Sequence, residues 1–219
     1  MSATTAAANA AGMAYVPVPR VASAQAAPAV QPSHELTALR ELHFLVHPLF
    51  VNTTTAPELA QRYIAQAEKM SDRAALCVFL HIPFEHLVAP TNSYDASLKM
   101  LMDRLYAPLE RRLLIFDGRT NPFDEYRVAG RIRKELSQRG FSIDPVVAAA
   151  YAYGEVLEEC VRDAAENLQE AFELARPITV IGNLTEAAFW WHTVSGTKHA
   201  RVKHAFKIAG LTFVPPPSR

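Results

Sequence analysis

Short apolar runs alternate with amphipathic stretches along most of the chain. Leu42-His-Phe-Leu-Val46 reads as a first strand, ending at His47-Pro48. Pro57 to Met70 has helical spacing, with Pro57 suited to a first turn. Ala74 to Leu80 is a continuous apolar run that ends at His81 and is stopped by Pro83. Tyr94 to Arg111 is predicted helical, with Pro108 expected to kink or end it. Leu113 to Phe116 predicts a short buried strand ending at Asp117-Gly118. Phe123 to Arg139 is amphipathic and is closed by Gly140.

Next comes the stretch with the most chemistry. Val146 to Ala152 predicts a buried strand, Gly154-Glu155 a turn, and the residues beyond it a helix with Cys160 in its opening turns. Pro177 to Ile181 predicts another strand, ending at Gly182-Asn183. Lys198 to Ala209 reads as a helix with Val202, Phe206 and Ala209 on one side, closed by Gly210. Leu211 to Val214 is the last strand before Pro215-Pro-Pro217. The strands lack a period-two alternation, so both faces of the sheet should be covered. The expected fold class is therefore α/β, a three-layer, doubly wound, mostly parallel sheet of about six strands. Residues 38–219 should form this one domain. Residues 1–37 should be a disordered tail rich in Ala and Pro, because they hold little apolar bulk to bury. No basic segment precedes an apolar one there, so a secretory leader is not expected.

Composition narrows the partners. Lys plus Arg equal Asp plus Glu at 22 each, so the formal net charge is zero. A nucleic-acid partner is not expected on that balance. The basic run Lys198, Arg201, Lys203 and Lys207 reads as the solvated face of a helix. No apolar run approaches the roughly 18 residues of a membrane span. The two cysteines, Cys77 and Cys160, have no metal-knuckle spacing and read as reduced thiols of a cytoplasmic protein. Trp190-Trp191 reads as a lid or subunit contact, and a homo-oligomer is expected.

In parallel sheets ligands gather at the carboxyl ends of strands. Those ends carry His47, His81, Asp117, Arg119, Tyr153, Gly154, Glu155, Gly182 and Asn183. A thiol at a strand-to-helix corner, such as that of Cys160, gains thiolate character from the helix N-terminus. Cys160 is equally read as a small buried hydrophobe, and Glu158 and Glu159 beside it would oppose ionisation. His47 could be a general base or a strand-end histidine bonded to a loop. Asp117 before Gly118 could orient a histidine or simply make a turn. His81, Glu85 and His86 have the donor types of a zinc site, but no third partner in space is evident, and no metal or cofactor is expected.

The order of parts resembles the isochorismatase-like family of cysteine hydrolases. Gly154-Glu-Val-Leu-Glu-Glu-Cys160-Val161 is similar to the family's nucleophile motif, Phe123 stands six residues after Asp117 as the family pattern has it, and His199 to Gly210 is similar to the family's last helix. The resemblance implies a hydrolase acting on a small amide or enol ether, with Cys160 as nucleophile and His81, Arg119, Phe123, Gly154 and Glu155 around the substrate. The chain departs from the family at two positions of the catalytic trio: its Asp is His47 and its Lys is Asp117. The expected trio is thus rewired, with His47 as base and Asp117 as orienting carboxylate. The alternatives are a non-catalytic relative serving as a binding or scaffold subunit, and a small anion-binding module.

Overall fold

Apolar runs with no polar alternation need cover on both faces, and the chain supplies it. The computed structural model describes residues 35–50, 56–117, 125–146, 148–155, 157–186 and 197–215. These all fall in one compact unit that begins at Glu35. Residues 1–34, most of the expected tail, lie outside the described residues. In chain order the elements are β1 (Thr37–Leu39), β2 (Glu41–Val46), α1 (Ala56–Lys69), β3 (Ala74–Phe79), α2 (Glu85–Val88), α3 (Ser93–Leu109) and β4 (Leu113–Phe116). They continue with α4 (Glu125–Gln138), β5 (Phe141–Ile143), β6 (Ala149–Glu155), α5 (Arg162–Phe172), β7 (Thr179–Glu186), α6 (Thr197–Ile208) and β8 (Thr212–Val214).

Six strands form one parallel sheet in the order β4-β3-β2-β6-β7-β8. This is the doubly wound order, in which the chain grows outward from β2 to one edge and then returns to its other side. Leu42, Phe44 and Val46 of β2 pack with α4, α5 and α6, through residues such as Ile132, Leu168 and Phe206. Leu45 packs on the opposite face with Leu59 and Tyr63 of α1 and Leu101 of α3. Three layers result, as the apolar strands require. Among the described residues no helix is long and apolar enough to cross a membrane.

Four features differ from expectation. Thr37 is already a strand residue: β1 pairs with β5 in a separate two-stranded parallel sheet, with Thr37 opposite Phe141. Such three-residue strands are too short to leave a hydrophobic period. Helix α2 was also not foreseen. Strand β6 begins at Ala149, with Val146 exposed, and it runs on through Gly154 and Glu155, so this pair is strand and not turn. Likewise β7 does not stop at Gly182-Asn183. The β6–β7 register shifts between Ala152 and Gly154, and β7 rejoins the ladder with Thr185 opposite Gly154. The Thr185 hydroxyl donates to the Ile181 carbonyl at 2.7 Å across this irregular stretch.

Gly154 has φ +125° and lies opposite Val46. A Cβ there would overlap the Val46 carbonyl oxygen and stand 2.7 Å from its nitrogen. Glycine is thus required by both backbone conformation and close approach. Gly154→Ala should lower unfolding free energy by at least about 3 kcal/mol, the upper end for a Gly-only backbone region, with the clash added. A urea midpoint equal to that of the parent protein would show that the β2–β6 contact is looser than described.

Candidate functional site

The sheet order reverses between β2 and β6, so their carboxyl ends border the crevice where doubly wound sheets take ligands. His47 caps β2. Its N–H donates to the Phe79 carbonyl at 2.8 Å, and its φ of 45° turns the chain out of the strand. Leu49 follows in the same left-handed region, with φ 66°. That conformation is costly for a branched residue. What holds it is Glu155 at the end of β6: the Leu49 N–H donates to Oε1 at 2.9 Å in a buried contact. Glu155 is 1% exposed. The loop leaving β2 and the end of β6 are therefore joined through one carboxylate.

Around this bridge lie aromatic groups. The His47 ring lies 5.2 Å from that of His81 and 6.3 Å from that of Phe50, and the Phe50 and His81 rings are 4.0 Å apart. His47 is 8% exposed, and its Nδ1 is buried without a hydrogen-bond partner. Burial, and then the neighbouring His81, push its pKa down to about 4, so the ring is neutral at pH 7. The hydroxyl of Tyr94, in the first turn of α3, is likewise buried without a hydrogen-bond partner. Burial, followed by the carboxylates of Glu155 and Asp95, pushes it up to about 12, so it keeps its proton. Asn92 caps this helix through Oδ1, which accepts from the Asp95 N–H at 2.9 Å. The Thr91 hydroxyl donates to Asp95 at 2.6 Å and holds its carboxyl below the usual carboxylate range.

The expected trio is not joined as a relay. Strand β3 stands between β2 and β4, so the strand ends bearing His47 and Asp117 are two spacings apart, about 9–10 Å. An Asp117 oxygen accepts from the Phe84 N–H at 3.4 Å, while His47 Nδ1 has no partner. Asp117 therefore does not orient His47. The strands ending at His47, Asp117 and Tyr153 do share one direction and one sheet, but only β2 and β6 are neighbours. Cys160 lies in a wide, π-helical turn, Leu157–Val161, that leads into α5. It is half-buried and packs against the core on the α4–α5 face. Cys77 is wholly buried, which pushes its thiol far up.

The remaining candidates fall as follows. Gly154 is a packing requirement of the β2–β6 pair, and Glu155 is the bridge to Leu49. His81 is exposed at the rim. Arg119, Phe123 and Trp190-Trp191 lie outside the described residues. His86 Nδ1 pairs with Asp95 at 3.3 Å, and among the described residues no group of three His, Cys, Asp or Glu could hold a metal. Two polar residues escaped the sequence reading. The Asn92-x-x-Asp95 capping pattern could have placed Tyr94 in the first turn of a helix, though not beside Glu155. His43, 2% exposed inside β2, stacks on Tyr151 at 4.7 Å, and its Nδ1 lies 3.5 Å from the Tyr153 hydroxyl. Burial lowers its pKa to about 4 against the opposing Glu41.

No known protein family matches this chain, and no curated protein or solved structure matches it either. The described residues form a doubly wound α/β domain with His47, Phe50, His81 and Glu155 at the carboxyl ends bordering its switch point.

Two outcomes follow. His43 and His47 bind fewer protons folded than unfolded, so their stabilisation is complete above about pH 6.5 and is lost as pH falls toward about 4. Each contributes at most about 2 kcal/mol to the loss by pH 5. Denaturant unfolding at pH 7 and pH 5 should show the drop, and His47→Gln should shrink it; an unchanged drop in the variant would contradict a neutral, buried ring. In native alkylation Cys160 should react at least about tenfold faster than Cys77, whose access requires opening of the sheet. Equal rates would remove the distinction between the two thiols.

Proposed function

We propose that this chain binds a small polar organic molecule in the crevice between the ends of β2 and β6, as a non-catalytic relative of the isochorismatase-like cysteine hydrolases. One observation carries the reading: His47 Nδ1 is buried at the switch point with no hydrogen-bond partner. An unmet buried polar atom costs about 1–3 kcal/mol, which a ligand donating to it recovers. The family layout is supported by position. His47 stands at the end of the sheet's first strand in chain order, Asp117 at the end of its third, and Cys160 just beyond its fourth. The side chains at these stations do not supply the family's relay, because Asp117 is engaged at Phe84.

A hydrolase acting on a small amide or enol ether is the second reading. It is favoured by the half-buried thiol of Cys160 in the wide turn opening α5. Two free thiols fit a reducing, cytoplasmic setting. Exposed Phe84, Val88 and Tyr106 beside the edge strand β4 support a homo-oligomer.

A thermal-shift panel of small amides, enol ethers, alcohols, amines and carboxylates tests the reading. At least one compound should raise the melting temperature of the parent protein, with the shift lost in His47→Ala at unchanged circular dichroism. A panel without shifts, or shifts that survive the substitution, would remove the proposal. Product release abolished by Cys160→Ala would put the hydrolase in its place.

A further inference from the structure

We propose that the outer edge of β4, with the apolar groove beside it, is the interface of a two-fold homodimer in which β4 pairs antiparallel with β4 of a second copy. This surface is separate from the switch-point crevice, because β4 is an edge strand two places from β2. The hydrogen bonds of β4 fix which of its groups are left for a partner. The Phe116 carbonyl accepts from the Leu80 N–H at 2.7 Å, on the β3 side. Successive residues of a strand aim their backbone groups at opposite edges, so those of Leu113 and Ile115 point outward. Arg139 Nη1 donates to the Leu113 carbonyl at 2.6 Å and closes that position. Ile115 keeps an N–H and a C=O on the open edge, and among the described residues no group beyond the edge pairs with them. An open rung of this kind is a template for another strand.

Beside the rung, Leu113 and Ile115 line a groove of about 340 Å³ together with Phe84 and Val88 at α2 and Tyr106 of α3. Phe84 is 47%, Val88 69% and Tyr106 59% exposed, so large apolar side chains stand in water around a hollow that they do not fill. A second copy is the occupant that fits, because each feature of this surface is its own complement. The Ile115 N–H and C=O are the donor and acceptor that two facing residues exchange in an antiparallel hydrogen-bonded pair, Ile115 opposite Ile115. A two-fold axis through that pair keeps both grooves on one face of a continuous sheet, where the projecting Val88 and Tyr106 of each copy meet the hollow of the other. The same axis runs α3 antiparallel to its copy. Lys99 and Asp103, paired at 2.7 Å on the groove rim, are opposite charges one helical turn apart. Antiparallel helices set each of them toward its counterpart. For a charged peptide the same two side chains cancel, and the rim offers no preference of sign.

Sedimentation equilibrium of the full chain tests the dimer. Between about 1 and about 100 µM the mass should reach that of two chains and go no further. Tyr106→Glu carries a charge into the hollow of the other copy and should weaken association at least about tenfold. Lys99→Glu should weaken it about threefold, and adding Asp103→Lys should restore it. Amide exchange reads the strand pairing itself: at about 100 µM the Ile115 N–H should exchange at least about tenfold more slowly in the parent protein than in Tyr106→Glu. A chain still monomeric at about 100 µM would overturn the proposal and give the groove to another occupant. A dimer that ignores Tyr106→Glu and Lys99→Glu, or whose Ile115 N–H exchanges equally fast in both proteins, would place the contact elsewhere and overturn it too. Neither result bears on the His47 thermal-shift test of the crevice.

Discussion

The close approach of Gly154 to Val46 is the contact on which the rest of the molecule depends. It is the last rung of the β2–β6 ladder, and β2 and β6 are the central pair of the sheet. A side chain at residue 154 would push the two backbones apart at the point where the carboxyl edge opens. With glycine there, Glu155 is carried to the edge beside the loop that leaves β2. The carboxylate meets the Leu49 N–H and closes one side of the crevice against the other.

From that contact the chemistry of the site follows. The left-handed turn through His47 and Leu49 swings the imidazole off the strand axis toward Phe50 and His81. Enclosure by these groups keeps the ring uncharged and leaves one of its nitrogens unmatched. On the far side of β3, Asp117 accepts from the Phe84 N–H just before α2, two strand spacings from His47. The same strand order that makes the crevice therefore separates the two residues that the family's trio would have joined.

Much of this was legible beforehand, for specific reasons. Runs such as Ala74 to Phe79 are too apolar to face water, and their alternation with helices leaves few arrangements other than a doubly wound sheet. His47 could be placed at a carboxyl end because Pro48 follows it. The ends of β6 and β7 were misread because Gly-Glu and Gly-Asn carry turn chemistry, whereas here one pair meets a tight backbone contact and the other lies in a register shift. Strands β1 and β5 left no trace because three residues show no period. Which carboxylate meets which loop depends on strand order, which local pattern does not encode. The Glu155–Leu49 bridge could not be foreseen for that reason, and neither could the separation of Asp117 from His47.

The Glu155–Leu49 bond joins residues 106 positions apart. Strands β2, β3 and β4 are consecutive neighbours in the sheet, so that half can pair through the local crossovers 47–73 and 80–112 while the remainder of the chain is still being synthesised. The return to β2 closes a far longer loop, and its entropy must be met before the contact gives anything back. On this ordering the growing chain exposes one flank of β2 until β6 arrives, and the crevice is among the last parts of the sheet to exist. A nascent or truncated chain ending before Ala149 would carry His47 on an open sheet edge, a surface for chaperones or for aggregation instead of a ligand.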